Sequence, residues 1–489
     1  MTRRLVIGPF NRVEGDLEVQ LDVDAGRVRS ARVIAGLYRG FEQILQGREP
    51  LDALVFAPRI CGICSISQSA AAAAALADAM GLRVPRNGRL AMHCMQAAEN
   101  VADHLSHFYL FFMPDFARTA YAGRPWHAMA VERFRAIEGS AARDFLPARA
   151  GLLHTMGLLA GKWPHSHAFQ PGGTTRPVSA TEARRLYRMV REFRGFLERT
   201  VFGDALEAVA ALSDDGALSA WAQGRTADFA RFLAIADDLR LEELGRSYDR
   251  FLSFGAYESA QGGAPLFAAG LWESGSGAAM PLDVGAIAED VRHAWYAESA
   301  APQPPARGAA VPLPDKPGAY TWCKAPRIGG APAETGALAR QLIAGHPLAR
   351  DLVARAGGNV RSRVVARLLE VARVVPEMEA WVQGFVPDEP FCAFGDLPSD
   401  AEGVGLVEAA RGSLGHWLGV RRGRIHNYQI VAPTTWNFSP IDEAGLPGPV
   451  ERALVGTPVA EGDAGSDGVQ VAVQHVVRSF DPCMVCTVH

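Results

Sequence analysis

Cysteine is scarce in this sequence, with seven residues among 489. Such sparse and uneven usage excludes a disulfide-based scaffold and indicates a reduced protein whose cysteines have specific roles. The chain also lacks an excess of charge of either sign, because 49 Lys and Arg residues stand against 53 Asp and Glu residues. That balance gives no reason to expect a polyanionic partner, so nucleic-acid binding is not expected.

Long apolar runs are missing as well. The most apolar stretches, residues 70–77 and 108–113, are far shorter than the ~20 residues that span a bilayer. The N-terminus carries two arginines but no apolar segment typical of a secretion signal. We therefore expect a soluble, cytoplasmic protein without direct membrane insertion. The alternative is export together with a separately targeted partner.

The residues that are present predict a globular fold. Hydrophobic residues make up 48% of the chain and charged residues 21%, which is sufficient for a sizeable core. Apolar and polar residues alternate over 4–34 around Ala25-Gly26, which predicts a small β element over about residues 1–36. Helical periodicity covers residues 88–113 and 180–202. We expect an α+β, mainly α fold with a central bundle of long helices, small peripheral β elements and one interlocked domain over 1–489.

Three local signals complete this outline. Thr181, with basic residues nearby, is interpreted as the start of the second long helix. Six prolines between residues 300 and 320 predict an extended connection. The sequence EGDAGSDG at 461–468 predicts a loop before the last apolar run.

Four of the cysteines form two CxxC pairs, Cys61 with Cys64 near the start and Cys483 with Cys486 close to the last residue. Two pairs supply four thiolates, which can hold one soft metal ion or share a binuclear centre. The other three cysteines stand alone in apolar surroundings and are interpreted as buried packing residues: Cys94, Cys323 and Cys392.

Three other interpretations of the pairs compete with a shared metal site. A structural zinc site draws its pairs from local sequence, with ~15–20 residues between them, whereas these pairs lie at opposite ends of the chain. A thioredoxin-type dithiol would leave the second pair unexplained. Two independent disulfides conflict with the reduced compartment that the composition indicates. A metal site that joins both ends of the chain is favoured.

The residues around the cysteines resemble a known family. Pro58-Arg-Ile-Cys-Gly-Ile-Cys64 and Asp481-Pro-Cys-Met-Val-Cys-Thr-Val-His489 resemble the two signature motifs of the nickel–iron hydrogenase large subunit. Further segments resemble the family in the family's order, so that the resemblance runs from residue 12 to residue 489: RVEG at 12–15, RGFE at 39–42, EAARG at 408–412, NYQ at 427–429 and PTTWN at 433–437.

The resemblance implies a nickel–iron centre whose iron carries CO and cyanide ligands. Cys61 and Cys483 would bind nickel terminally, and Cys64 and Cys486 would bridge nickel and iron. Soft thiolates suit both metals. The implied substrate is H2, which is cleaved heterolytically while a base takes the proton.

The same resemblance assigns roles to residues outside the cysteine pairs. Arg411 would lie over the open position of the metals, supported by Asp103 and Asp481, because a guanidinium stays protonated and can anchor a ligand. Thr434 would offer its hydroxyl to a cyanide. Glu14 would pass the proton onward if desolvation raises its pKa towards neutrality.

A second, hard cation is also implied. Glu42, the terminal His489 and the main-chain carbonyl of Ile430 resemble the ligands of a Mg²⁺ site, and such oxygen-rich sites suit that ion.

The first motif departs from the commonest family pattern at Gln68, where many members carry a histidine. Gln can hydrogen-bond a thiolate but does not change its charge near neutral pH. The form CSISQS at 64–69 resembles the regulatory, hydrogen-sensing branch. The chain is also short for the family and stops at His489 without a tail for a maturation protease. Cleavage of such a tail before the sequence was recorded is the alternative.

Two residues suggest a restricted gas channel. Ile63 and Phe111 match the pair at the end of that channel, where smaller Val and Leu are common. The larger side chains would hinder O2 more than H2, which predicts low turnover with oxygen tolerance. The alternative is that both residues were selected only for packing.

Partners follow from the resemblance and the cysteine count. Iron–sulfur clusters must lie in a separate small subunit, since four of the seven cysteines are already assigned; a dimer of the resulting heterodimers is a further expectation. Metallocentre maturation factors and, for a sensor, a signalling histidine kinase complete the expected partners. The alternatives to a sensor are an energy-conserving uptake hydrogenase and a non-catalytic structural relative.

Overall fold

The computed structural model describes residues 3–260, 262, 264–460 and 470–489. The predicted loop at 461–468 lies outside the described residues. The strands are β1 Arg3–Ile7, β2 Glu18–Asp24, β3 Arg27–Ile34, β4 Phe169–Gln170, β5 Gly173–Thr174, β6 Arg250–Glu258, β7 Pro265–Glu273, β8 Ile287–Asp290, β9 Ala325–Ile328, β10 Ala401–Ala409, β11 Gly412–Arg421 and β12 Arg424–Val431.

The helices are α1 Phe41–Leu45, α2 Ala53–Phe56, α3 Ser65–Ala79, α4 Arg86–Ser106, α5 His127–Phe134, α6 Ser140–Leu159, α7 Ala180–Phe196, α8 Leu206–Ala210, α9 Asp215–Ala222, α10 Asp228–Asp238, α11 Ala337–Ile343, α12 Pro347–Ala356, α13 Val360–Gln383, α14 Pro433–Asn437, α15 Pro449–Leu454, α16 Val471–Ser479 and α17 Met484–Thr487. Helices predominate and strands form small separate sheets, which confirms the α+β, mainly α class.

The N-terminal β element is an antiparallel sheet of β1, β2 and β3. Its hairpin turns at Ala25 and Gly26, both with positive φ (48° and 71°), as a tight two-residue turn requires. The alternating side chains of β2 are buried on one face. The predicted hairpin is therefore confirmed.

Four long helices, α4, α6, α7 and α13, pack against one another in the centre. Helix α4 continues into a π-helical turn at His107–Phe112, and α7 into another at Leu197–Phe202, so both predicted helical segments are confirmed. Helix α7 begins after Ser179, whose hydroxyl accepts a hydrogen bond from the Glu182 N–H, while the Glu182 carboxylate accepts one from the Ser179 N–H. Ser179, two residues before Thr181, is therefore the cap of this helix.

Helix α3 lies on the antiparallel sheet β10-β11-β12. Its alanine run, residues 70–77, is the apolar stretch noted in the sequence. A Cβ at Gly403 or Gly405 of β10 would come within about 2 Å of the carbonyl oxygens of Ala75 or Ala71. Small residues on both elements thus allow the helix backbone to rest directly on the sheet, and this fixes the helix that begins beside Cys64.

One large apolar core contains residues from Leu5 to Val488. Residues 300–320 contain one short 3-10 turn, Pro305–Arg307, and otherwise run as an irregular connection, as expected from their prolines. Cys94 and Cys323 are buried, but Cys392 is only half-buried, so its interpretation as a core residue was wrong. Among the described residues, no helix combines the length and the apolar character that crossing a bilayer requires.

Candidate metal centre

The two CxxC pairs meet in the core, and their four sulfur atoms lie within 4.8 Å of one another. The Sγ of Cys61 is 3.5 Å from that of Cys483, and the Sγ of Cys64 is 2.9 Å from that of Cys486. All four side chains are buried. Around a single ion with metal–sulfur bonds of about 2.3 Å, tetrahedral thiolates stand roughly 3.7 Å apart, so the cluster fits a soft metal.

Local structure presents each pair on a helix end. Cys64 is the residue before α3, and Cys61 lies three residues earlier, after a 3-10 turn. Cys483 precedes α17, where the N–H of Cys486 donates to the carbonyl of Cys483 at 3.1 Å. In the second segment one helical turn brings residues i and i+3 to the same side, and in the first a tight turn brings the Cys64 N–H within 3.5 Å of the Cys61 sulfur.

The N-terminal RVEG segment is bound to the C-terminal pair through the backbone. Glu14 forms a parallel β-bridge with Cys483, and the Met484 N–H donates to the Glu14 carbonyl at 2.7 Å. Gly15 has a φ of 83°, and a Cβ there would lie 3.0 Å from Val485, so this contact needs glycine.

Arg39 is a site residue that sequence reasoning did not identify. Its guanidinium donates to the carbonyl of Ile60 at 2.6 Å and also to the carbonyl of Val485. These carbonyls immediately precede the first cysteine of one pair and the second cysteine of the other, so Arg39 joins the two segments. The motif RGFE contained the signal, but only the fold shows the second contact.

Arg411 lies between two acidic residues, as predicted. Its guanidinium binds both carboxylate oxygens of Asp103, and also the main-chain carbonyl and the carboxylate of Asp481 at 2.9 and 3.1 Å. Burial alone would lower the pKa of Arg411, but Asp103, Asp481 and the nearby sulfurs of Cys483 and Cys64 raise it well above its ordinary value. A fixed positive charge therefore stands beside the cysteine cluster.

Thr434 and Gln68 border the same cluster. The Thr434 hydroxyl accepts a hydrogen bond from the Cys483 N–H at 3.2 Å. Gln68 is fully buried one turn after Cys64 on α3, and its Oε1 lies 2.8 Å from Nε2 of His416. Thr434 thus contacts the backbone of a site cysteine; a contact of either side chain with the bound group stays a prediction.

Three predicted residues are less buried than the cysteines. The side chains of Glu14, Ile63 and Phe111 are each partly exposed. Burial raises the pKa of Glu14 above its ordinary value, and the nearby Cys61 adds to the effect. A role for this carboxyl in proton transfer stays a prediction.

A second polar cluster contains the residues expected to bind a hard cation. Glu42 and His489 are buried, with His489 Nε2 3.2 Å from Glu42 Oε1, and His489 Nδ1 donates to the Cys486 carbonyl at 2.8 Å. Ile430 contacts Glu42 through its N–H at 2.9 Å; a role for its carbonyl stays a prediction.

Lys324 was not identified from the sequence, yet it lies at the centre of this second cluster. Its Nζ is 2.9 Å from Glu42, 2.8 Å from Glu289 and 3.2 Å from Gln429. The remaining oxygen of Glu289, Oε1, is buried without a hydrogen-bond partner. Two buried carboxylates, one of which keeps an unpartnered oxygen, and an imidazole beside them fit a hard cation.

Replacing Lys324 with methionine should lower the free energy of unfolding by roughly 3–5 kcal/mol, because the change leaves two buried carboxylates uncompensated. The exposed Lys162→Met is the matched control. Thermal unfolding of both variants tests this, and added Mg²⁺ should restore part of the loss in Lys324→Met. Equal stability of the two variants would contradict the pairing.

Comparison with known proteins agrees with this arrangement. The family model described as nickel-dependent hydrogenase matches residues 39–129 and 144–489. The periplasmic [NiFeSe] hydrogenase large subunit of Desulfomicrobium baculatum is 30% identical, over 99% of this chain and 95% of the relative. The uptake hydrogenase large subunit of Azotobacter chroococcum mcd 1 is 28% identical, over 100% of this chain and 95% of the relative.

A solved structure is similar over the whole chain. The reduced Ni-Fe-Se hydrogenase of D. vulgaris Hildenborough superposes with a TM-score of 0.84 at 30% identity, covering 100% of each chain. Two of these relatives contain selenium by name, whereas all four candidate ligands here are cysteine. With the family match, the superposition and the four converged sulfurs together, this chain belongs to the nickel-dependent hydrogenase family, as the large catalytic subunit of an enzyme that acts on H2.

Proposed function

We propose that the chain holds a nickel–iron centre whose iron carries CO and cyanide, and that it oxidises H2 slowly, as an oxygen-tolerant hydrogen sensor. The convergence of four buried sulfurs beside the buried Arg411 is the observation that carries the proposal. When bound, the metals supply the position at which H2 is polarised and split. In this proposal Cys61 and Cys483 would hold nickel, and Cys64 and Cys486 would be shared between nickel and iron.

In this proposal the residues around the cysteine cluster orient and stabilise the bound centre. Arg411 is charged at any working pH, and two of its nitrogens are fixed by Asp103 and Asp481, so its charge is held in place without reorganisation. Thr434 accepts from the Cys483 N–H, and its own hydroxyl proton is available to a cyanide nitrogen. The apolar core around the sulfurs excludes water.

Glu14 is the proposed proton acceptor. Its raised pKa, its partial exposure and its backbone bonds to the Cys483 segment support a path for protons between the cluster and the solvent through its carboxyl. A carboxyl in this position takes the proton released at a cysteine sulfur and passes it outward.

Replacing Glu14 with glutamine should reduce H2 oxidation and the exchange of D2 with solvent protons by about 100-fold or more, because the amide cannot carry the proton. Nickel content should not change, since Glu14 contacts Met484 only through its backbone. The control is Asp16→Asn, an exposed carboxyl two residues away. An exchange rate in Glu14→Gln equal to that of the control would exclude the role.

The sensor assignment rests on three residues. Gln68 supplies an uncharged donor where a histidine could titrate, and the partly exposed Ile63 and Phe111 lie at the proposed end of the gas channel. Narrow access and a pH-insensitive site suit a detector better than a high-flux enzyme.

Exchanging Ile63→Val together with Phe111→Leu should make H2 oxidation oxygen-sensitive, since smaller side chains widen the passage. The measurement is residual activity after a timed exposure to air, compared with the parent protein. The single variant Phe112→Leu, in the neighbouring core position, is the control for a general packing defect. If the double variant keeps the parent's tolerance, the channel hypothesis is wrong.

An energy-conserving uptake hydrogenase is the second candidate. It is favoured by the name of the Azotobacter relative, an uptake hydrogenase large subunit, and by the similarity, which extends over 95% of that relative. The two candidates differ in turnover: a sensor should be slow and should keep its activity in air.

The partners are part of the proposal. In the described part of the chain the four site cysteines form one cluster and the three other cysteines lie outside it, so electrons need the iron–sulfur clusters of a small subunit. The partly exposed side chains of Glu14, Ile63 and Phe111 are available for contact with that subunit, in a heterodimer or a dimer of heterodimers. Maturation factors would insert the metals, a histidine kinase would receive the signal, and the complex would be cytoplasmic.

The deciding experiment is metal analysis with infrared spectroscopy on the protein co-expressed with its small subunit and maturation factors. We expect near one nickel per chain and CO and cyanide bands that shift under H2. Mg²⁺ should be found by the same analysis. Zinc instead of nickel, without such bands, would overturn the proposal; high turnover that is lost in air would favour the uptake enzyme.

A further inference from the structure

Three fully buried polar side chains form a line that ends beside the cysteine cluster. The hydroxyl of Tyr428 is 2.7 Å from Nδ1 of His416, and Nε2 of His416 is 2.8 Å from Oε1 of Gln68. Each of the three residues has no exposed surface. Buried polar groups are costly unless each is paired, so this line has to be accounted for.

The fold sets the line in place. In the β11–β12 ladder, His416 lies opposite Ile430, and Leu418 lies opposite Tyr428. His416 and Tyr428 are therefore diagonal neighbours on one face of the sheet. Helix α3 packs on this sheet and brings Gln68 to the other side of the imidazole.

The direction of hydrogen bonding along the line follows from counting donors. Burial lowers the pKa of His416 to about 3, so the imidazole is neutral, with one donor and one acceptor nitrogen. Among the described residues the Tyr428 hydroxyl has His416 as its single hydrogen-bond partner. If Nδ1 carried the proton, the Tyr428 hydroxyl proton would have no acceptor. Tyr428 therefore donates to Nδ1, and Nε2–H donates to Gln68 Oε1.

This direction of hydrogen bonding fixes the orientation of the Gln68 carboxamide. Its oxygen is committed to His416, and its Nε2 has no hydrogen-bond partner within the described chain although it is buried. The Gln68 N–H donates to the carbonyl of Cys64, the residue before α3, at 3.1 Å, so one turn of backbone separates the two residues. Helical side chains also lean towards the N-terminus of their helix, here towards Cys64.

We propose that Tyr428 and His416 are positioning residues that hold the Gln68 carboxamide with its Nε2–H2 towards the sulfur of Cys64, to which it donates in the metal-loaded site. This inference rests on the function proposed above. A hydrogen bond to a thiolate withdraws electron density from the sulfur and therefore from the iron that it bridges. A chain of bonds polarises its last donor, so the strength of this donor depends on Tyr428, which does not touch the cluster.

Infrared spectroscopy of the heterodimer tests the chain of contacts. Weakening the donor leaves the sulfur richer in electrons, so the CO and cyanide bands should move to lower wavenumber in Gln68→Leu and, by less, in Tyr428→Phe. Tyr109→Phe is the matched control, because Tyr109 is also buried and hydrogen-bonded, but to Asp228. The CO and cyanide bands of this variant should coincide with those of the parent protein.

His416 supplies the rescue test. His416→Leu should shift the bands as Tyr428→Phe does, whereas His416→Gln keeps an amide donor for Gln68 and should recover part of the parent position. Nickel content and thermal midpoint are measured on each variant, so that a folding defect is recognised. Unshifted bands in both Gln68→Leu and Tyr428→Phe, at full nickel content, would overturn the inference. Absence of bands in the parent protein would instead overturn the proposed function.

Discussion

Replacing Arg411 with lysine should lower the rate of H2 oxidation by about 100- to 1,000-fold while the nickel content stays at the parent level. Removal of one fixed donor from a preorganised site typically has an effect of that size. Lysine keeps the charge but has a single nitrogen, so it cannot bind Asp103 through two bonds and also reach the carbonyl and carboxylate of Asp481. The ammonium would therefore settle on one acid and leave its position beside the sulfurs.

The measurement is H2 oxidation with an artificial acceptor, together with nickel analysis of the same samples. Arg421→Lys is the control, because Arg421 is exposed at the far end of β11, the strand that begins directly after Arg411. If Arg411→Lys retains the activity of the control, the guanidinium has no part in catalysis.

Replacing Cys486 with serine should abolish stable nickel binding and with it all hydrogenase activity. Serine offers a hard oxygen that is protonated near neutral pH, whereas nickel and low-spin iron need a soft thiolate. The fold should persist, because Arg39 and the Glu14 segment hold α17 through main-chain atoms.

Nickel analysis and circular dichroism on the same samples distinguish a loss of metal binding from a loss of folded structure. Cys392→Ser is the control, since Cys392 is half-buried and outside the cluster. Near-stoichiometric nickel in Cys486→Ser would show that this sulfur is not a ligand.

The elements that could be read from sequence are those with a local signal. The hairpin around Ala25-Gly26, the two long helices and both CxxC pairs are each encoded within a few neighbouring residues. Their residues repeat at the period of the element, or stand at a fixed spacing, and the structure confirms them.

The residues that were missed act through long-range contacts. Lys324 is one of three lysines in the chain, and nothing near it in sequence shows that it meets Glu42, 282 positions away. Arg39 stood inside a quoted motif, but its second contact is with Val485, 446 positions away. His416 and Tyr428 meet through strand register, which the sequence alone does not specify. Cys392 shows the opposite error: its neighbours in sequence are apolar, but its side chain is only half-buried.

The two ends of the chain meet at the β-bridge between Glu14 and Cys483, and both CxxC pairs come together there. This meeting has a consequence for how the protein folds. Cys61 and Cys483 are separated by 422 positions. Because closure entropy rises by about 0.6 kcal/mol with each doubling of loop length, closing this loop costs about 3 kcal/mol more than closing the ~16-residue loop of a local zinc site. Contacts of such long range form late in folding.

Until the two segments meet, their thiols belong to separate and accessible pieces of chain. In that period they are open to oxidation and to whichever divalent ion binds thiolates most readily. We therefore expect the choice of metal to be made during folding, by the ion that is delivered before the chain closes, and to be preserved by the closed core.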